Sequence, residues 1–71
     1  MKQYIIQLLN NLDERAAGKR YPEYIDERNS GVTIQKSKTR YIIRNTYDFG
    51  DVLLSTIDRN QVEDFLYHIL K

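Results

Sequence analysis

Apolar residues near the start of the chain recur with helical spacing. Ile5, Leu8, Leu9, Leu12 and Ala16 fall at i, i+3, i+4, i+7 and i+11, which makes one stripe. Gln7, Asn10, Asn11 and Glu14 lie off that stripe. The pattern predicts an amphipathic helix over 2–17. Gly18 stands where a glycine in the left-handed conformation closes a helix, and Lys19 and Arg20 follow at the negative pole of its dipole.

Beyond Tyr21-Pro22 the period changes, because the residue before a proline is pushed out of the helical region. The segment EYIDER reads in two ways. Pro22 suits the first turn of a short helix, yet Arg28-Asn29-Ser30-Gly31 looks like a hairpin connection with Gly31 at positive φ. The hairpin reading makes 24–28 a short edge strand whose Asp26, Glu27 and Arg28 discourage foreign pairing. Val32-Thr33-Ile34-Gln35-Lys36 alternates apolar and polar, as a half-buried strand does. After a turn at Ser37-Lys38-Thr39, a strand over 40–47 sets Tyr41, Ile43 and Tyr47 on one face. Its other face carries Arg40, Ile42, Arg44 and Thr46. Asp48-Phe49-Gly50-Asp51 is a turn, and β-branched residues over 52–57 make a final strand.

Asp58 is a strong helix-start signal, with Gln61 three residues on to complete a capping box. Val62, Phe65, Leu66, Ile69 and Leu70 then form a second helical stripe. Two amphipathic helices need an apolar surface, and one face of a sheet offers it to both. The expected fold is a two-layer α+β domain spanning 1–71: helix, an antiparallel meander of three or four strands, helix. The short edge strand at 24–28 decides between three strands and four.

Composition sets the scale. A chain of 71 residues buries only about 60% of its unfolded surface, so stability rests on tight packing or on a second subunit. With no cysteine there is neither a disulfide nor a thiolate metal site, and one histidine is too few for the usual zinc sites. No metal and no cofactor is expected. No apolar run approaches the roughly 18 residues of a membrane span, and the opening residues do not read as a signal peptide. A cysteine-free chain of this kind points to the cytoplasm.

Catalytic chemistry finds no home. Asp48 and Asp51 flank a glycine turn, Asp58 caps a helix, and Glu63 and Asp64 complement its dipole. His68 lies one turn after Asp64, but no nucleophile accompanies the pair. Gly18, Gly31 and Gly50 stand singly, so no phosphate-cradling loop is formed. The chain reads as a small non-enzymatic accessory protein, of the economical build that phages and mobile elements encode.

Two binding readings remain. The net charge of +1 is nearly balanced, but Lys36, Lys38, Arg40 and Arg44 form a run without an acid. If both helices cover one sheet face, the other exposes Arg40, Ile42, Arg44, Leu53 and Ile57, an apolar patch rimmed by charge. That is the anatomy of a protein interface, for a homodimer or for an adaptor or regulator docking on a larger protein. The alternative is nucleic acid, with Lys36, Lys38, Arg40 and Arg44 on phosphates and Tyr41 or Tyr47 stacking on bases. The balanced charge disfavours it. The six tyrosines suit either reading, or simply the rim of a thin core.

Overall fold

The computed structural model describes residues 2–27, 31–46 and 51–70. Its elements are α1 (Lys2–Ala16), β1 (Glu23–Glu27), β2 (Val32–Lys36), β3 (Tyr41–Asn45), β4 (Val52–Thr56) and α2 (Arg59–Ile69). The strands form one antiparallel sheet in the order β1-β2-β3-β4, so the meander has four strands. The ambiguous segment after Pro22 is a strand, and it begins at Glu23, one residue before the expected start.

All five residues of the first stripe are buried, and Leu9 and Leu12 have no exposed surface. Gly18 ends α1 at φ +73°, with the Lys19 N–H donating to the Ala16 carbonyl at 3.2 Å. Across the hairpins, Val32, Ile34, Tyr41 and Ile43 point from β2 and β3 into the same core. The second stripe is only partly covered. Val62, Leu66 and Leu70 are buried, Phe65 packs against the cluster from its edge, and Ile69 is exposed. Helix α1 lies on β1 and β2, α2 on β4, and the helices touch each other, so both occupy one face of the sheet. Among the described residues no helix is long and apolar enough to cross a membrane.

Three local expectations need correction. The capping box does not form as such. Asp58 accepts from the Asn60 N–H at 2.9 Å, but Gln61 does not reach back to the Asp58 N–H. The Thr56 hydroxyl stands between, accepting that N–H at 3.0 Å and donating to Gln61 Oε1 at 2.6 Å. A buried threonine at the end of β4 therefore relays the cap.

Glu27 is not a solvent-facing edge charge. Alternation along β1 turns it toward α1, where it is 4% exposed and accepts a hydrogen bond from the Tyr4 hydroxyl. Finally, β4 does not run evenly. Leu54 pairs with Ile43 but Val52 with Arg44, so Leu53 is an extra, bulged residue. The turn expected at 48–51 lies outside the described residues apart from Asp51, as do Arg28, Asn29 and Ser30 of the first hairpin.

Candidate interaction face

The uncovered side of the sheet can be read from the pairing register. Asp26, Thr33, Arg44 and Val52 make one row across the four strands. Tyr24, Gln35, Ile42 and Ser55 make the next. Arg40 lies beyond them in the β2–β3 loop, where its Nη1 donates to Ser55 Oγ at 3.0 Å. Thr33 donates to Asp26 Oδ1 at 2.9 Å and stands 3.1 Å from the Thr46 hydroxyl, so the first row is stitched by side chains. Among the described residues no carboxylate is ion-paired with Arg40 or Arg44.

Apolar surface runs alongside. Ile57 is 70% exposed, Tyr24 50%, Val52 48% and Leu53 45%, while Ile42 is half-buried between the two arginines. Of the expected face, the register and the Arg40–Ser55 bond place Arg40, Ile42 and Arg44 on the side opposite the helices, while Leu53, in the bulge, and Ile57, just beyond β4, are exposed at the sheet's edge. Three members were not foreseen. Simple alternation from Leu54 sends Val52 into the core, and only the bulge brings it out opposite Arg44. Tyr24 and Asp26 belong to the strand whose existence was in doubt, although its alternation held the signal.

Among the described residues, those grouped for nucleic acid do not share a surface. Tyr41 is 4% exposed and turned toward the helices, so it offers no ring to a base. The Lys36 ammonium lies over that ring, 4.1 Å from its centroid, on the covered side. Lys38 is exposed in the loop, Arg40 and Arg44 face the other way, and Tyr47 lies outside the described residues. Period-2 alternation separates neighbours in sequence onto opposite faces.

A polar network that no local pattern announces joins the two layers. Tyr41 Oη donates to Asp13 Oδ1 at 2.7 Å, and Arg59 Nη1 donates to Asp13 Oδ2 at 2.9 Å. Arg59 Nη2 reaches Asn10 Oδ1 at 2.7 Å and the Ile6 carbonyl at 3.3 Å, and Nε stands 3.7 Å from Glu63. Strand β3, α1 and α2 are thereby tied through one carboxylate. Both oxygens of Asp13 are occupied and its arginine is fully engaged, which suits a structural clasp better than acid–base work. Of the other acids once considered, Asp58 caps α2, Glu63 holds Arg59, and Asp64 is exposed. His68 is exposed too, its ring edge-on to Tyr67.

The network has a consequence at high pH. Burial, then the hydrogen bond and charge of Asp13, push the Tyr41 phenol up to about 12. The Glu63 charge adds to the rise and Arg59 opposes it. The Tyr4 phenol is raised as well, by its hydrogen bond to Glu27. A group whose folded pKa is raised contributes stability that is complete below the unfolded value near 10. That stability disappears as pH climbs through about 12, because the unfolded chain loses the proton first. Loss of about 2 kcal/mol is expected across this window from Tyr41 alone. Urea titrations at increasing alkaline pH should show it, and Asp13→Asn should flatten the slope. A stability independent of pH there would mean that the phenol is not held as described.

Comparison with family models, with curated proteins and with solved structures finds no match to this chain. The functional reading therefore rests on the geometry of the molecule.

Proposed function

We propose that this chain is a non-enzymatic interaction module of the cytoplasm, and that it pairs with a second copy of itself through the uncovered sheet face. The observation that carries the reading is the placement of both helices on one side of the sheet. It leaves a sheet face on which Ile42 lies between Arg40 and Arg44, with Tyr24 exposed on β1 and Val52 on β4, and neither arginine ion-paired with a carboxylate among the described residues. Apolar surface so grouped and rimmed by charge marks a contact surface rather than a random scatter of exposed side chains.

The charges favour a second copy as the occupant. Asp26 and Arg44 stand in the same row, two strands apart, with Thr33 between them. In the adjoining row Tyr24 and Ile42 are likewise two strands apart, with Gln35 between. A two-fold axis along β2 exchanges β1 with β3, as an isologous interface requires. It sets Asp26 against the partner's Arg44 and Tyr24 against the partner's Ile42, each twice. A thin core gains further from the burial of this face.

Charge exchange tests the arrangement. Asp26→Lys and Arg44→Glu, made singly, should each weaken self-association by about tenfold, since like charges then face each other. The double variant restores opposite charges in both copies and should recover most of the affinity. Sedimentation velocity reads association, and circular dichroism confirms that each variant is folded. Single variants that associate like the wild type, or a double variant no better than the singles, would exclude this pairing.

A further inference from the structure

The end of α1 and the β2–β3 loop, distant in sequence, meet around an open cleft of about 470 Å³. Lys19 and Arg20 reach it from one segment, Lys36 and Lys38 from the other, with Ser37 and Asp13 between them. This gathering was not visible in the charge run at 36–44, because half of it comes from beyond Gly18. The cleft lies on the helix side of the sheet and is separate from the face proposed for pairing.

The neighbouring carboxylates do not neutralise it. Asp13 spends both oxygens on Tyr41 and Arg59, so its charge is matched from α2. Glu23 is held by Lys19 at 2.6 Å and by Arg15 at 3.3 Å, one acid between two cations. Lys36 rests on the Tyr41 ring, which fixes its position without cancelling its charge. Arg20 and Lys38 have no carboxylate partner among the described residues. The C-terminal carbonyls of α1 face this end, but those of Glu14 and Ala16 are already occupied by the Ala17 and Lys19 N–H groups.

Lys19 is matched by Glu23, but Arg20, Lys36 and Lys38 converge on a concavity without an ion-paired carboxylate among the described residues and produce a focused positive potential. The space is several times that of one tetrahedral anion, and the cations approach from two sides. We propose that the cleft binds a polyphosphate group, either inorganic or carried by a nucleotide. Lys36 and Lys38 grip it from the hairpin, and Arg20 supplies a planar, bidentate donor from beyond the helix end. Ser37 contributes little, since its hydroxyl donates to the Arg40 carbonyl at 3.1 Å.

Amide NMR with inorganic pyrophosphate, at physiological salt, tests this directly. Saturable shifts are expected at Gly18, Lys19, Arg20, Ser37 and Lys38, with none of comparable size around Arg44. The Lys36→Gln/Lys38→Gln double variant should bind about tenfold more weakly, and Lys36→Arg should keep binding. Arg44→Gln should bind like the wild type. A nucleoside triphosphate added in a parallel titration distinguishes the sources. Tighter binding than pyrophosphate assigns a nucleotide, and equal binding assigns the phosphate chain alone. The proposal fails if pyrophosphate gives no saturable shift, or if shifts spread evenly over all exposed cations. It fails equally if the double glutamine variant is folded and binds unchanged, or if only an oligonucleotide binds.

Discussion

Leu9→Ala is expected to lower the free energy of unfolding by about 3 kcal/mol, the middle of the range for a leucine truncated in a packed core. Leu9 has no exposed surface and sits in the cluster joining α1 to both hairpins and α2. Alanine is a better helix former than leucine, so the loss cannot come from α1 itself. It must come from methyl groups withdrawn from their neighbours and from the cavity left behind. A domain of this size has a total stability of roughly 4 to 10 kcal/mol, so the variant should be visibly fragile. Urea unfolding measures it, with Asn11→Ala as the companion. Asn11 is exposed on the same helix, and its replacement should be neutral or slightly stabilising. Equal effects at the two positions would contradict the orientation of α1.

The second large effect belongs to the clasp between the layers. Asp13→Ala removes the acceptor shared by Tyr41 and Arg59, and about 2 kcal/mol of stability should go with it. The figure is moderate because the Asp13 and Arg59 side chains are 32% and 30% exposed, so water recovers part of the loss. The Tyr41 hydroxyl has less recourse, being attached to a buried ring. A double-mutant cycle of Asp13→Ala with Arg59→Ala should give a coupling of about 1 kcal/mol. Glu14→Ala, next door but exposed, should change stability by less than about 0.5 kcal/mol. Were Asp13→Ala as mild as Glu14→Ala, the tie between α1, α2 and β3 would be ornamental.

These two residues also mark where the sequence could and could not be read. Leu9 belongs to a stripe, and stripes survive because burial on one face imposes a period that any window reveals. The same holds for Ile34 and Ile43, whose alternation predicted the covered face correctly. Asp13 and Arg59 carry no period. They are 46 residues apart, and nothing local says that one polar side chain will answer another across the helix pair.

Glu27 illustrates the same difficulty in reverse. Its charge suggested an exposed edge, while its place in the alternation of β1 sends it beneath α1, where Tyr4 supplies a partner. Alternation prevailed over charge because a hydrogen bond offsets part of the burial cost. Thr56 took the place expected of a direct capping box for a similar reason, since a hydroxyl can donate and accept at once.

The candidate face was legible in part. The shared side of Arg40, Ile42 and Arg44 followed from period-2 alternation, and its freedom from the helices followed from two helices needing one surface. Val52 did not, because a bulge at Leu53 shifts the register and leaves no mark in composition. Tyr41 was misplaced as a stacking ring, since its neighbours in sequence are basic. Its neighbours in space are Asp13 and the Lys36 ammonium, and its ring fills the core. The basic cleft depends on a contact between the end of α1 and a distant loop, which only the assembled fold supplies.

The edges of the sheet bear on association as well. β1 carries Glu23, Asp26 and Glu27, whereas β4 reads Val-Leu-Leu-Ser-Thr without a charge. An uncharged edge beside an apolar face invites contact, and the bulge at Leu53 interrupts the regular ladder that would otherwise template strand addition. Pairing through the face is therefore favoured over pairing through the edge.

Methyl and amide NMR of the wild-type protein, followed on dilution from millimolar to micromolar concentration, tests the central claim most directly. Concentration-dependent shifts should cluster at Tyr24, Asp26, Thr33, Gln35, Ile42 and Arg44, and leave Gln7, Asn11 and Glu14 on the outer side of α1 unmoved. Spectra that do not change with concentration, or changes confined to the helical layer, would contradict the assignment of the uncovered sheet face as the site of self-association.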